Sequence, residues 1–197
     1  RFSCNQSNRN TIANFWSYRD MKKLLLLSLL FVTSINSQEL KQLELTKDGV
    51  SPVVFETPNL STSEVYFNII EWAKRYYVSA KNVIGAQTEN EFIRLNGIGI
   101  NFWSFSMGNI APQYEHSYSI GIEIRDGRYR LSFSAGDSYS SSGKFQQELT
   151  FIFDKEGELK SKPKYLSDIL STYNSSLNQL ALDIYNAANG NKIEEDW

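Results

Sequence analysis

A chain of 197 residues with 41% hydrophobic residues, 14% aromatics, a formal net charge of -2 and one cysteine has the length of a single domain. That composition excludes a collagenous repeat, a disulfide-stapled miniprotein and a disordered polymer of low hydrophobicity. Four prolines and 11 glycines, spread along the chain, leave no extended linker between independent folding units.

The chain divides near residue 37. Met21, Lys22 and Lys23 precede the apolar run Leu24 to Val32, and Thr33 and Ser34 follow it: a basic start, an apolar centre and a small polar exit, as in an export signal. The run is nine residues long, well short of the roughly 20 that a membrane-spanning helix needs. Residues 21–37 are therefore expected to be a signal peptide cleaved between about Ser34 and Ser37, and residues 1–20 to be upstream sequence or a disordered extension. Residues 38–197 then carry 15 basic and 21 acidic side chains, a formal net of -6, and no cysteine, because Cys4 is the only one in the chain. Disulfides, a thiolate nucleophile, a cysteine metal site and a lipid-bearing cysteine are excluded from that part. The acidic balance speaks against nucleic acid as a partner, and no stable membrane span is expected after cleavage.

Leu43 to Leu45 and Val53 to Phe55 offer short strands, the second ended by Pro58. Ser61 and Glu64 have the spacing of a capping box. Behind it, Tyr66, Ile69, Ile70, Ala73, Tyr76 and Tyr77 form the stripe of an amphipathic helix, with Glu71 and Arg75 as an outer i, i+4 pair and Trp72 at the core boundary. A strand pair is expected over Val83 to Gln87 and Glu91 to Leu95, continuing into Ile98 to Phe102. Apolar parity changes from Ile93 and Leu95 to Ile98, Ile100 and Phe102, so a bulge is expected at Asn96-Gly97.

Asp126-Gly127 suits the two-residue type I′ turn of a hairpin. It pairs Arg125 with Arg128, Ile124 with Tyr129, Ile122 with Leu131 and Ile120 with Phe133 on a buried face, and Glu123 with Arg130, Gly121 with Ser132 and Ser119 with Ser134 on a wet one. A last strand is expected over Leu149 to Phe153. A helix follows from Tyr165 to Ala188, with Leu166, Ile169, Leu170, Tyr173, Leu177, Leu180 and Ile184 on one face and Gly190 as its stop. Residues 38–197 thus read as one α+β domain, an antiparallel, curved sheet with two helices on one face in the order β-α-β(4)-α.

Val54-Phe55-Glu56 leading into Ser61 to Tyr66, Glu71-Trp72, Asn82-Val83-Ile84, Ile93-Arg94-Leu95-Asn96-Gly97 and the Tyr118 to Arg130 hairpin occur in that order. This string over about residues 50–135 resembles domain of unknown function 4468, a family of exported bacterial proteins common in Bacteroidetes. The resemblance implies a fold like that of the TATA-binding protein. It implies no activity, ligand or catalytic residue, and a fold name does not bring DNA binding with it.

Candidate chemistry is sparse. His116, the single histidine, stands between Glu115 and Ser117, but triads are assembled across a fold and not from neighbours in sequence. Glu89, Glu91, Glu123 and Asp137 suit solvated strand edges, and Gly97-Ile98-Gly99 lacks the third glycine and the strand-to-helix setting of a dinucleotide fingerprint. No catalytic residue, metal ligand or cofactor is assigned. Asn59-Leu60-Ser61 and Asn174-Ser175-Ser176 match glycosylation sequons, which matter only in a eukaryotic secretory pathway.

Phe102, Trp103, Phe105, Tyr114 and Tyr118, among Ser104, Ser106, Gly108 and Asn109, suggest an aromatic loop that contacts a ligand, with Tyr139 in a second loop from Ser138 to Gly143. The function expected is an exported, non-enzymatic binding or interaction module whose partner is a protein, peptide or glycan of the cell envelope. The alternatives are a hydrolase using His116 and a carboxylate, and a structural component of an envelope assembly whose sheet edge accepts a further strand.

Overall fold

The structure is a computed structural model that describes residues 41–109, 111–140, 143–145 and 149–191. All of them belong to the unit Leu40–Trp197; the segments expected to be the export signal and its upstream extension lie outside the described residues.

Strands β1 (Leu45–Thr46) and β2 (Gly49–Val50) form a small hairpin, and β3 (Val53–Glu56) leads to helix α1 (Thr62–Tyr76). A single turn, α2 (Ala80–Val83), opens into β4 (Ile84–Thr88). Three long strands follow: β5 (Phe92–Ser104), β6 (Gln113–Arg125) and β7 (Arg128–Ser140). After them come β8 (Gly143–Phe145), a 3-10 turn at Leu149–Ile152 and helix α3 (Tyr165–Ala188). The antiparallel sheet has the order β3-β7-β6-β5-β4, and β8 pairs with the far end of β7. Helices α1 and α3 cover one face, and the architecture is α+β as expected from the sequence.

The β6–β7 hairpin has the expected register in every pair, from Arg125↔Arg128 to Ser119↔Ser134. Its turn differs: Gly127 alone has positive φ, at 70°, which is the φ pattern of a type II turn and not of type I′. Ile120, Ile122, Ile124, Tyr129, Leu131 and Phe133 are buried, whereas Glu123 and Arg130 form an ion pair on the open face.

Helix α1 starts with the expected capping box: Glu64 N–H donates to Ser61 Oγ at 3.3 Å and Ser61 N–H to Glu64 Oε2 at 2.8 Å. Its buried stripe is Val65, Ile69, Ile70, Trp72 and Ala73, which brings Trp72 inside and leaves Tyr76 half exposed. Glu71 pairs with Lys74 at 2.7 Å instead of with Arg75, whose Nε donates to the Glu71 carbonyl. Helix α3 has the expected limits, and Gly190 closes it with φ 71°. Asn178 and Asn174 on α3 hold the start of the fold as a strand would. Leu43 N–H donates to Asn178 Oδ1, Asn178 Nδ2 donates to the Leu43 carbonyl, and Leu45 N–H donates to Asn174 Oδ1, at 2.8, 2.8 and 3.0 Å.

Three further expectations change. The parity of β5 does not switch at Asn96-Gly97, where pairing with β6 runs unbroken from Phe92↔Glu123 to Gly99↔His116. The irregularity falls between Gly99 and Trp103, around Asn101 with φ 53°. Leu149–Ile152 is a 3-10 turn and not a strand, because Leu149, Ile152 and Phe153 are buried at helical spacing while Thr150 and Phe151 between them are only partly so. Of the stretch expected as a loop from Ser138 to Gly143, Ser138 to Ser140 end β7 and Gly143 starts β8, pairing Ser138↔Phe145 and Ser140↔Gly143, while residues 141 and 142 lie outside the described residues.

Candidate functional site

The aromatic residues singled out in the sequence turn mainly inward. Strand β5 runs to Ser104 and β6 begins at Gln113, with Ser104 opposite Gln113, so most of the supposed loop is paired sheet. Phe102, Trp103 and Tyr118 are buried. Trp103 lies flat on Tyr114, ring centroids 3.9 Å apart and planes 6° from parallel, and half-buried Phe105 packs between Tyr114 and Tyr165 of α3. Tyr139 is half-buried on β7 opposite Glu115 and Lys144. These rings stabilise the junction of sheet and α3 and do not form an exposed platform.

His116 is 1% exposed and stands between two hydroxyls, with Nδ1 2.9 Å from Ser138 Oγ and Nε2 3.3 Å from the Tyr173 hydroxyl. Trp103 Nε1 also donates to Ser138 Oγ, at 3.3 Å. Either neutral tautomer of the imidazole finds one donor and one acceptor there. Burial lowers its pKa from 6.5 to about 4, with Asp137 opposing weakly. A serine and a histidine in contact invite a hydrolase reading, but Ser138 is buried as well, and neither atom is open to a substrate. The cluster is a polar tie inside the core.

The open site lies farther back along β5, beyond the end of β4. A groove of about 1030 Å³ runs between the end of α1, the turn after it, strand β5 and helix α3. On one side are Tyr76, Tyr77 and the fully exposed Val78; on the other are Ile98 and Ile100, 57% and 76% exposed. The position of the two isoleucines follows from the unbroken parity of β5: Ile93, Leu95 and Gly97 face the helices, so Ile98 and Ile100 face outward. The alternation of Gly97 and Gly99 with these isoleucines is the sequence signal for this, since neither glycine has a side chain to bury.

Phe102 and Tyr118 belong to the floor of this groove, and they are the two of the six aromatic candidates that line it. The Tyr118 and Tyr77 hydroxyls are 2.9 Å apart. Burial pushes the Tyr118 pKa up to about 12 and that of Tyr77 higher still, so both phenols stay neutral. Tyr76 stacks on Trp72 and meets Tyr77 edge-on, each at 4.8 Å, which makes that wall a rigid aromatic unit. From α3, Ser175, Ser176 and Gln179 add neutral polar groups, and Gln179 Nε2 donates to Asp183 Oδ1 behind it at 2.9 Å. Among the described residues no lining side chain is Asp, Glu, Lys or Arg. Such a surface can bury uncharged groups and offer them hydrogen bonds, and it desolvates a charged ligand without compensation.

Among the described residues no three His, Cys, Asp or Glu side chains gather as a metal site, and no helix is long and apolar enough to cross a membrane.

No family model matches the sequence, and no curated protein matches it. Two solved structures are similar in fold. A DUF4468 family protein from Bacteroides ovatus superimposes with a TM-score of 0.56 at 14% identity, over 74% of this chain and 90% of the other. A TBP-like protein from Parabacteroides distasonis superimposes with a TM-score of 0.53, also at 14% identity, over 72% of this chain and 93% of the other. The chain therefore has the TBP-like α+β fold of these Bacteroides and Parabacteroides proteins.

Proposed function

We propose that this chain is a non-enzymatic binding module of the cell envelope, exported by the segment 21–37 and binding an uncharged partner in the groove between α1 and β5. The observation that carries this reading is the exposure of large apolar side chains, Val78, Ile98 and Ile100, around one continuous uncharged groove. Water-facing apolar groups clustered in a concavity are a standing gain for any partner that covers them. The basic start and apolar run of residues 21–37 support export. The net charge of -6 over residues 38–197 and the uncharged groove support a partner other than nucleic acid. The hydrolase alternative loses its support with the burial of His116 between Ser138 and Tyr173.

The test is equilibrium binding to arrays of uncharged peptides and neutral glycans, comparing the chain from Gln38 onward with its Val78→Asp/Ile100→Asp variant. Both sites are exposed, so the variant is expected to fold and melt like the parent while losing binding. A partner held equally well by both proteins would place the site elsewhere and overturn the assignment. Amino-terminal sequencing of the exported product checks the cleavage expected near Ser34 to Ser37.

A further inference from the structure

The groove follows the edge of a strand. On its outer side β5 pairs with β4 only as far as Leu95, opposite Ile84, where β4 gives way to the turn α2. On its inner side β5 continues alongside β6, through Asn96↔Ser119 and Gly97↔Tyr118 to Gly99↔His116. Among the described residues no strand pairs with Asn96 to Asn101 on the outer side. The groove is lined by residues from both faces of this segment: Gly97, Gly99 and Phe102 from the helix side, Ile98 and Ile100 from the other. A groove that reaches both faces of one strand runs along its edge.

Open edges are usually blunted by charge or proline. This one carries neither from Asn96 to Phe102, and displays isoleucine at alternate positions instead. Resting on the reading of the groove as a binding site, we infer that it takes an extended, uncharged peptide segment of a partner protein by strand addition to the outer edge of β5. The added strand takes the place that β4 leaves beyond Leu95. Its backbone satisfies the outward amides and carbonyls of Asn96 to Asn101, a span of roughly 20 Å at about 3.3 Å per residue. Successive side chains pass alternately toward Tyr77 and α3 on one face and toward Ile98 and Ile100 on the other. The absence of charge along the lining selects for apolar and neutral polar residues in the segment. Asn101, in the left-handed region, ends the straight part of the edge and limits the pairing to about six residues.

The probe is a capped, fluorescent hexapeptide of alternating valine and threonine, with a control methylated on every second backbone nitrogen. The parent peptide is expected to bind, to slow hydrogen exchange at the β5 amides, and to bind at least about tenfold more weakly when methylated, since methylation removes pairing donors and leaves the side chains. Ile100→Lys, at an exposed position, is expected to weaken binding by a similar factor without lowering the melting temperature. Equal binding of the two peptides, lost in Ile100→Lys, would sink strand addition and leave the groove as a binding site. Binding untouched by Ile100→Lys would overturn both proposals. Absence of peptide binding up to millimolar concentration would overturn strand addition, and self-association lost in Ile100→Lys would then make a second copy of the chain the occupant.

Discussion

Gly97 lies against the ring of Tyr118: a Cβ built on Gly97 would sit 2.6 Å from the ring carbon that bears the hydroxyl and 2.6 Å from its oxygen. Gly97 and Tyr118 are register partners on β5 and β6, so the missing side chain gives the tyrosine room to lie across the strand and reach Tyr77. Gly97→Ala is therefore expected to displace the Tyr118 ring, stretch its bond to Tyr77 and destabilise the fold by about 1–3 kcal/mol, the usual range for overpacking. Urea denaturation measures the cost. Unchanged stability would mean that the ring moves aside freely and that the groove floor is soft.

Trp103→Ala separates a core aromatic from an exposed one. The indole is 2% exposed, stacks on Tyr114 and donates to Ser138. Its removal is expected to cost about 3–5 kcal/mol, as for other buried aromatics truncated to alanine. Thermal unfolding that shifts by only a degree or two would return Trp103 to the surface role that its neighbours in sequence suggest.

The difference between these two residues and the expectations drawn from sequence has a physical origin. The β6–β7 hairpin is legible because turn chemistry and a period of two select the same register, and a slip of either strand by one residue would turn its three apolar side chains to the wet face. Helix α3 is legible because its apolar stripe runs from Leu166 to Ile184 and ends at a glycine. The groove is not legible in the same way. Ile98 and Ile100 have the residue type and spacing of core positions, the alternating Gly97 and Gly99 are a faint counter-signal, and the pairing of those glycines with β6 is what fixes the parity of the strand and leaves the isoleucines outside. Trp103 and Tyr114 have the composition of a binding loop, yet they stack across paired strands. Local pattern decides elements and register, whereas exposure depends on which neighbours the third dimension supplies.

His116 makes stability depend on pH. Its pKa falls to about 4 in the folded chain from an ordinary 6.5, because burial disfavours the imidazolium. Between those values the unfolded chain binds a proton that the folded chain refuses, so stability is fully present above about pH 6.5 and is lost as the pH falls toward 4. The loss from this residue reaches about 3 kcal/mol by the lower limit. His116→Gln keeps hydrogen-bonding capacity toward Ser138 and Tyr173 and does not titrate, so its unfolding free energy is expected to vary less between pH 7 and 4. Parallel pH profiles for the two proteins would show that His116 accepts its proton in the fold.

Tyr129 is fully buried against Phe55, ring centroids 5.3 Å apart, and its hydroxyl finds no hydrogen-bond partner among the described residues. Desolvating that hydroxyl opposes folding, while the ring contributes packing and apolar burial. Tyr129→Phe removes the unpaired group and keeps the ring, so stability is expected to stay within about 1 kcal/mol of the parent or to rise. Tyr129→Ala removes both and is expected to cost about 3–5 kcal/mol. Measuring the two variants together separates the hydroxyl from the ring: a loss of several kcal/mol in Tyr129→Phe alone would mean that the hydroxyl is satisfied in solution, with a buried water as its partner.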